Sequence, residues 1–462
     1  MPSNLTPPST RWPTRGELRE MARLAAPIAL VNLAMMSMGV VDTLMLGHFS
    51  ADALAAGALG NLYFYAVAMF GLGVVAAIDP LVSQAVGARD DAGVARAVQR
   101  GLVIAVGVAV VVGAALLAAG PALRALRQPA DLVPDAAAYA AWSAASTVPF
   151  FAFNVVRSAL QAINRLRAIV IAVVFANVVN VVGNWALIFG HLGSDAMGVE
   201  GSALSTLASR WIMLGVLVLL AWEPLRPALR PWRADTWQWG AIGRVVAIGT
   251  PIGFQFMAEV FAFHIVTIFM GWLGKATLAA HEITLNLASL TFMVPMGVSG
   301  AASVMVGRAI GAGDMDAARR DARAAYLCGV GFMAFAALLF LLAPTWLATR
   351  YTRDVDVVAI TAALIPIAGV FQLFDGGQVV GIGILRGSGD TRIPMVLHLA
   401  AFWGIGFPLC WYLGFSRDLG AVGLWWGLAV GLLAAAVLQA LRVRTRLRGD
   451  VQRVLVDAPA VG

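Results

Sequence analysis

Long apolar stretches with almost no charge recur along the whole 462-residue chain, each near the roughly 20 residues that an α-helix needs to cross about 30 Å of hydrocarbon. Apolar residues make up 60% of the chain and charged residues 12%, and the mean hydropathy is +0.83. Ordinary soluble domains carry about a quarter charged residues. No soluble core hides this much hydrocarbon, so lipid is the solvent. In lipid every backbone N–H and C=O must be satisfied within the chain, which leaves helices or closed barrels. Barrel strands alternate apolar and polar residues over about ten positions, whereas GLVIAVGVAVVVGAALLAA at 101–119 is continuously apolar. The fold class that follows is all-α and polytopic.

Breaking the hydropathy at Gly, Pro and charge clusters predicts twelve helices, at about 22–46, 53–83, 99–120, 136–160, 166–190, 199–222, 244–270, 277–307, 324–347, 356–385, 393–414 and 419–441. The preceding residues 1–21 begin MPSNLTPPSTRWPTR. They hold several prolines and no apolar core of a signal peptide, and read as a cytoplasmic arm. Cys328 and Cys410 lie inside apolar segments, where neither a structural disulfide nor a metal site is expected.

Arginine alternates sharply between the two sides of these spans. One side collects Arg11, Arg15, Arg19 and Arg23; the loops with Arg89, Arg96, Arg100, with Arg157, Arg165, Arg167, with Arg226, Arg230, Arg233, Arg244, with Arg308, Arg319, Arg320, Arg323 and with Arg386, Arg392; and the tail with Arg442, Arg444, Arg446, Arg448, Arg453. The other side holds only Arg124, Arg127, Lys275, Arg350, Arg353 and Arg417. The positive-inside rule then predicts that both termini face the cytoplasm. The same distribution accounts for the pI of 10.1 as topology determinants and contacts to lipid headgroups, and nucleic acid is not expected as a partner.

The sequence repeats at a shift of 224 residues. Gly47, Leu54, Ala55 and Ala56 fall on Gly271, Leu278, Ala279 and Ala280; Ala85, Gly87, Ala88, Asp90 and Arg96 fall on Ala309, Gly311, Ala312, Asp314 and Arg320. Two homologous lobes follow, 22–222 and 244–441, joined by a cytoplasmic linker at 223–243 and followed by a basic tail at 442–462. An even number of spans in each makes them parallel repeats about an axis along the membrane normal.

A carboxylate in mid-membrane costs about 2.5–3.5 kcal/mol on insertion scales, so each one needs a reason. Asp42, Glu259 and Asp375 lie inside predicted helices. Burial disfavours the charged form, so such an acid is neutral in apolar surroundings and ionised when a cation or water enters, as a proton or cation switch requires. Asn180, Asn184 and Thr206, with Asn177 nearby, supply amide and hydroxyl oxygens that with Asp42 would suit Na⁺ or tune a proton site; gluing helices together is the alternative role for such residues. Gln255, Phe256 and Phe263 share a face with Glu259, and Phe371 and Gln378 share one with Asp375. With Phe292 they are the expected lining of a cleft for flat lipophilic cations. Asp79 before Pro80 reads as a bend or an ion pair, and Arg210 has no partner assignable from sequence.

Enzymatic motifs fail on specific residues. Lys275 is the only lysine and Ala276 follows it, so no Walker A sequence exists. His281–Glu282 opens an H-E-x-x-H, but Leu285 stands at the second ligand position, and no G-x-S-x-G occurs. No cofactor is expected beyond a coupling ion, Na⁺ or H⁺.

The ordered segments VDTLMLGHFSADALAA at 41–56, DPLVSQAVGA at 79–88, NVVGNWALIFG at 180–190, MGVEGSALST at 197–206, HEITLN at 281–286 and LRGSGDTRIPM at 385–395 resemble the multidrug and toxic compound extrusion (MATE) transporters, in their NorM-like bacterial branch, from about residue 17 to 445. The resemblance implies a V-shaped pair of six-helix lobes, alternating access, and exchange of Na⁺ or H⁺ for cationic drugs or toxic metabolites by a monomer among membrane lipids. It makes Asp42 similar to the family's acid of the first helix, Asn180, Asn184 and Thr206 similar to its partners, and Glu259 and Asp375 similar to the acids of the second lobe. Asn184 departs from relatives with Asp there and carries one negative charge fewer. A lipid-linked-precursor flippase is the alternative within the same superfamily, and a passive channel or scaffold lies outside it.

Overall fold

The computed structural model describes residues 12–457. Residues 1–11 of the expected arm, with Arg11, and residues 458–462 of the expected tail lie outside the described residues. The chain is a helical polytopic membrane protein with α1 (Arg15–Phe49), α2 (Ala51–Val75), α3 (Ile78–Gly87), α4 (Asp91–Leu117), α5 (Ala119–Ala125), α6 (Val133–Ala145), α7 (Thr147–Ala162), α8 (Leu166–Phe189), α9 (Gly198–Leu220) and α10 (Trp222–Leu229). There follow α11 (Trp239–Trp272), α12 (Lys275–Gly311), α13 (Met315–Leu342), α14 (Pro344–Thr349), α15 (Val355–Gly387), α16 (Arg392–Leu399), α17 (Phe407–Trp411) and α18 (Gly420–Arg446). Among the described residues eleven helical stretches are long and apolar enough to cross a bilayer.

The departures from the predicted spans have local causes. The fourth expected span, 136–160, is present as two shorter helices, α6 and α7. At their junction the Ser146 hydroxyl donates to the Ser143 carbonyl and the Thr147 hydroxyl to the Ala144 carbonyl, both at 2.7 Å, and Pro149 has no N–H to continue the ladder. The expected 53–83 helix breaks at Ala76–Ala77, four residues before Pro80, so Asp79 stands in the first turn of α3. Helix α1 starts at Arg15 rather than 22 because Thr14 and Glu17 form a capping box: Glu17 N–H donates to Thr14 Oγ1 at 3.2 Å and Thr14 N–H to Glu17 Oε2 at 2.7 Å. The expected linker at 223–243 is largely α10, a 3₁₀ turn at Ala234–Trp237 and the start of α11, and α18 runs through Arg446 into the expected tail. The expected 393–414 helix is a continuous helical run to Ser416 that passes through π-helical turns at Ala400–Gly406 and Tyr412–Ser416.

The helices form two compact units. The first holds residues 12–29, Ser83–Arg89 and Ala258–Val454; the second holds Leu30–Val82, Asp90–Met257 and residues 455–457. The boundaries thus fall inside α1 and α11 rather than in the 223–243 segment. The internal repeat is visible in each unit. Asp90 caps α4 through Gly93 N–H and Asp314 caps α13 through Ala317 N–H, both at 2.8 Å. In the second unit a Cβ on Gly73 would run into Gly253, and one on Gly249 into the Val74 carbonyl. In the first unit a Cβ on Gly297 would lie 2.7 Å from the Ala25 carbonyl oxygen and from Ala29. These are the same crossing 224 positions apart, a small-residue approach of two helix backbones.

Gly87 and Gly311 form a third such pair, inside the first unit. A Cβ on Gly87 would collide with the Arg308 carbonyl and one on Gly311 with the Gln84 carbonyl. Backbone cannot yield as a side chain can, so Gly311→Val is expected to destabilise the protein by about 3 kcal/mol or more. Gly331→Ala, at a helical glycine with open space beside it, is expected to leave it unchanged within about 1 kcal/mol. Thermal unfolding of the detergent-solubilised variants checks both.

Candidate functional site

In the second unit the side chains of α1, α8 and α9 close a ring of hydrogen bonds around Asp42. Asn184 Nδ2 donates to Asp42 Oδ1 at 2.5 Å and to Asn180 Oδ1 at 3.3 Å. Asn180 Nδ2 donates to Thr206 Oγ1 at 3.3 Å, and Thr206 Oγ1 donates to Asp42 Oδ2 at 3.0 Å. The sequence builds this locally. Asn180 and Asn184 are one turn apart on α8, and Gly183 and Gly201 let α8 and α9 approach until Ser205 Oγ donates to the Asn180 carbonyl at 3.0 Å. Asn180 and Asn184 are fully buried and Asp42 is 8% exposed. Asn177 stays outside the ring and donates to the Val173 carbonyl.

Every bond in the ring carries its polarity toward the carboxyl group, so each of its oxygens meets a donor. Among the ring oxygens, Asn184 Oδ1 is buried with no hydrogen-bond partner. A Na⁺ ion would need several oxygen ligands, and in this state the ring turns N–H and O–H groups on the acid instead.

Arg210 supplies a second charge in the same unit. Its Nη1 donates to Ser146 Oγ at 2.6 Å, and its guanidinium lies 4.4 Å from the Phe64 ring centroid and 5.0 Å from that of Phe150. It is within electrostatic reach of Asp42, as is buried Tyr139. Sequence reasoning left Arg210 without a partner because its partners are one hydroxyl and two aromatic faces; Ser146 and Phe150, one turn apart at the α6–α7 junction, were the available signal. Asp79 accepts a 2.5 Å hydrogen bond from Ser158, a structural anchor at the α2–α3 bend.

The first unit holds the other two acids, Glu259 on α11 and Asp375 on α15. They are near enough for their charges to repel, and among the described residues no hydrogen-bond donor or basic side chain offsets them. Aromatic rings stand around them: Phe263 meets Phe371 edge-on at 6.2 Å and Phe402 at 6.4 Å, and Phe371 meets Trp425 at 5.4 Å. Of the expected cleft lining, Phe263 and Phe292 are half-buried. Phe371 and Gln378 are enclosed, because α15 is packed by α12, α13 and α18; in this state they face the unit's interior rather than a cleft. Gln255 is buried in the second unit and Phe256 is half-buried there.

Comparison with known proteins agrees with the repeat. The family model described as MatE matches twice, at residues 27–186 and 251–412, copies whose starts are the same 224 residues apart. The multidrug resistance protein NorM of Burkholderia vietnamiensis is 37% identical over 434 residues, covering 92% of this chain and 93% of its own. The probable multidrug resistance protein NorM of Rhizobium meliloti (strain 1021) is 36% identical over 439 residues, covering 92% of each. Among solved structures, the eukaryotic MATE transporter AtDTX14 superposes with a TM-score of 0.85 at 22% identity over 94% of this chain and 98% of its own. The Vibrio cholerae MATE transporter VcmN in the bent form does so with a TM-score of 0.84 at 19% identity over 94% and 97%. The structures speak to the fold alone, and the sequence matches to the family, whose members are transporters rather than enzymes. With two tandem copies of the family's unit and relatives above a third identical over nearly its whole length, the chain belongs to the MatE family of multidrug and toxic compound extrusion transporters, in its NorM-like branch.

Proposed function

We propose that this protein is a multidrug efflux antiporter of the bacterial inner membrane, with both termini in the cytoplasm, which exports cationic lipophilic compounds by alternating access in exchange for inward-moving protons. The observation that carries the reading is the closed ring of donors around buried Asp42. It gives both carboxyl oxygens a donor without an inorganic cation, and one proton on the carboxyl turns its charge off. Drug efflux is supported by the names of the relatives, and orientation by the arginine asymmetry. Three acids inside membrane-spanning helices have no evident use in a scaffold.

Proteoliposomes with imposed gradients test this. A pH gradient alone, acidic on the side to which a fluorescent organic cation is pumped, is expected to drive its uphill movement, and a protonophore to stop it. A Na⁺ gradient alone is expected to drive none. Transport under the Na⁺ gradient only would replace the ion, and downhill flux indifferent to both gradients would make the protein a channel.

A further inference from the structure

We propose that His398 is a proton relay, the middle of a buried polar file that runs inside the first unit from Asp375 toward the arginine-bearing end of α15. The inference rests on the antiport reading above and names a route for its ion.

His398 is fully buried on α16, two residues before the π-helical turn Ala400–Gly406. An intramembrane histidine calls for a function, and π-turns inside helices gather at functional sites. The imidazole stacks on Phe402 at 4.6 Å, and Gln378 Nε2 lies 3.1 Å from its Nδ1. An amide nitrogen can only donate, so the neutral ring carries its proton on Nε2. That Nε2 has no hydrogen-bond partner among the described residues, and neither do Gln378 Oε1, Gln439 Oε1 or the Tyr326 hydroxyl, all of them buried atoms.

These side chains converge on one stretch of α15. Gln378 lies about one turn beyond Asp375 on α15, and Gly381 about one turn beyond Gln378. A Cβ on Gly381 would come within 2.9 Å of the Tyr326 hydroxyl and 3.1 Å of Gln439 Cβ, so the bare glycine is where those side chains, from α13 and α18, converge on α15. Gln439 Nε2 donates to the carbonyl of Pro394, one turn before His398, at 3.0 Å. From Asp375 to Gly381 the helix rises about 9 Å. Asp375 stands at one end of the file with Glu259 within charge range of it; Arg442, one turn past Gln439 and ion-paired with Asp390 at 2.6 Å, stands beyond the other, and among the described residues Tyr326 faces the stretch between.

Leaving several polar atoms dry in one place is unfavourable, and buried water is the usual partner of such groups. Imidazole then supplies what amides cannot. When the Gln378 amide turns aside, Nδ1 takes a proton from buried water and Nε2 releases its own, so only N–H and O–H bonds change and one proton enters for each that leaves; return of the amide to Nδ1 goes with return of the ring to its starting tautomer. Gln378 positions the ring and fixes its starting tautomer.

Wild type, His398→Gln, His398→Ala and Tyr326→Phe, reconstituted in proteoliposomes, test the relay. His398→Gln is expected to slow pH-driven efflux of a fluorescent organic cation by about tenfold or more, while equilibrium binding of that cation stays within about twofold. His398→Ala is expected to regain rate on addition of imidazole. Tyr326→Phe, which removes one hydroxyl, is expected to slow efflux about threefold and serves as the deciding variant if His398→Gln fails to fold. Wild-type rates in His398→Gln, or in Tyr326→Phe where it decides, would overturn the relay, as would a loss of binding in step with rate. Wild type that couples to protons beside variants that match it sinks the relay alone; wild type without proton coupling sinks the antiport reading first.

Discussion

Asp42→Asn is expected to abolish pH-driven efflux, a loss of about 100-fold or more, and to lower the protein's stability as well. The carboxylate accepts from Asn184 on one oxygen and from Thr206 on the other. An asparagine offers a single oxygen and turns two N–H groups toward donors that are already committed, so one bond of the ring is lost in a buried place, worth about 1–3 kcal/mol. Arg210 is left without the negative charge within its reach. Efflux of a fluorescent cation by everted vesicles and thermal unfolding in detergent read the two effects. Vesicle transport at the wild-type rate would remove Asp42 from the mechanism.

Asp375→Asn is expected to cost efflux as much, about 100-fold or more, yet to raise stability by about 1–3 kcal/mol. The difference in sign comes from the surroundings. Asp42 is held by donors, whereas Asp375 is 7% exposed, has no donor or basic neighbour among the described residues and faces the charge of Glu259. Replacing an uncompensated buried carboxyl by an amide removes a repulsion and a desolvation penalty. A protein that unfolds later but no longer transports is the expected result of the paired measurement. Unchanged stability together with unchanged transport would mean that Asp375 carries neither burden.

Much of this was legible before any coordinates. The apolar runs name the solvent, the 224-residue shift names the duplication, and i, i+4 spacing puts Asn180 and Asn184 on one face. Thr206 and Asp42 joined them as polar groups inside other spans, and the resemblance supported the grouping, but nothing local ties α1 to α9. The helix starts were less visible, although the Thr14-x-x-Glu17 pattern was present to be read, and the hydroxyls at Ser146 and Thr147 that part α6 from α7 look apolar enough in a hydropathy window to pass as one span. Phe371 and Gln378 were expected at a cleft because they share a face with Asp375; which way that face turns depends on three neighbouring helices distant in sequence. His398 drew no notice, as a lone histidine in an apolar run has no pattern around it, and its meaning comes from Gln378 and Gln439, brought beside it by packing.

The exchange within α1 and α11 makes each half of the chain depend on the other. Pro27 and Pro251, 224 positions apart, lie near the points where each helix leaves one unit for the other. Ala25 and Ala29 fill the groove at Gly297, while Gly249 and Gly253 fill the one at Gly73. Each half of the gene therefore encodes the lever that completes its sibling's bundle and lacks the one that completes its own. Expressed alone, either half would lack the arm that its own bundle packs against.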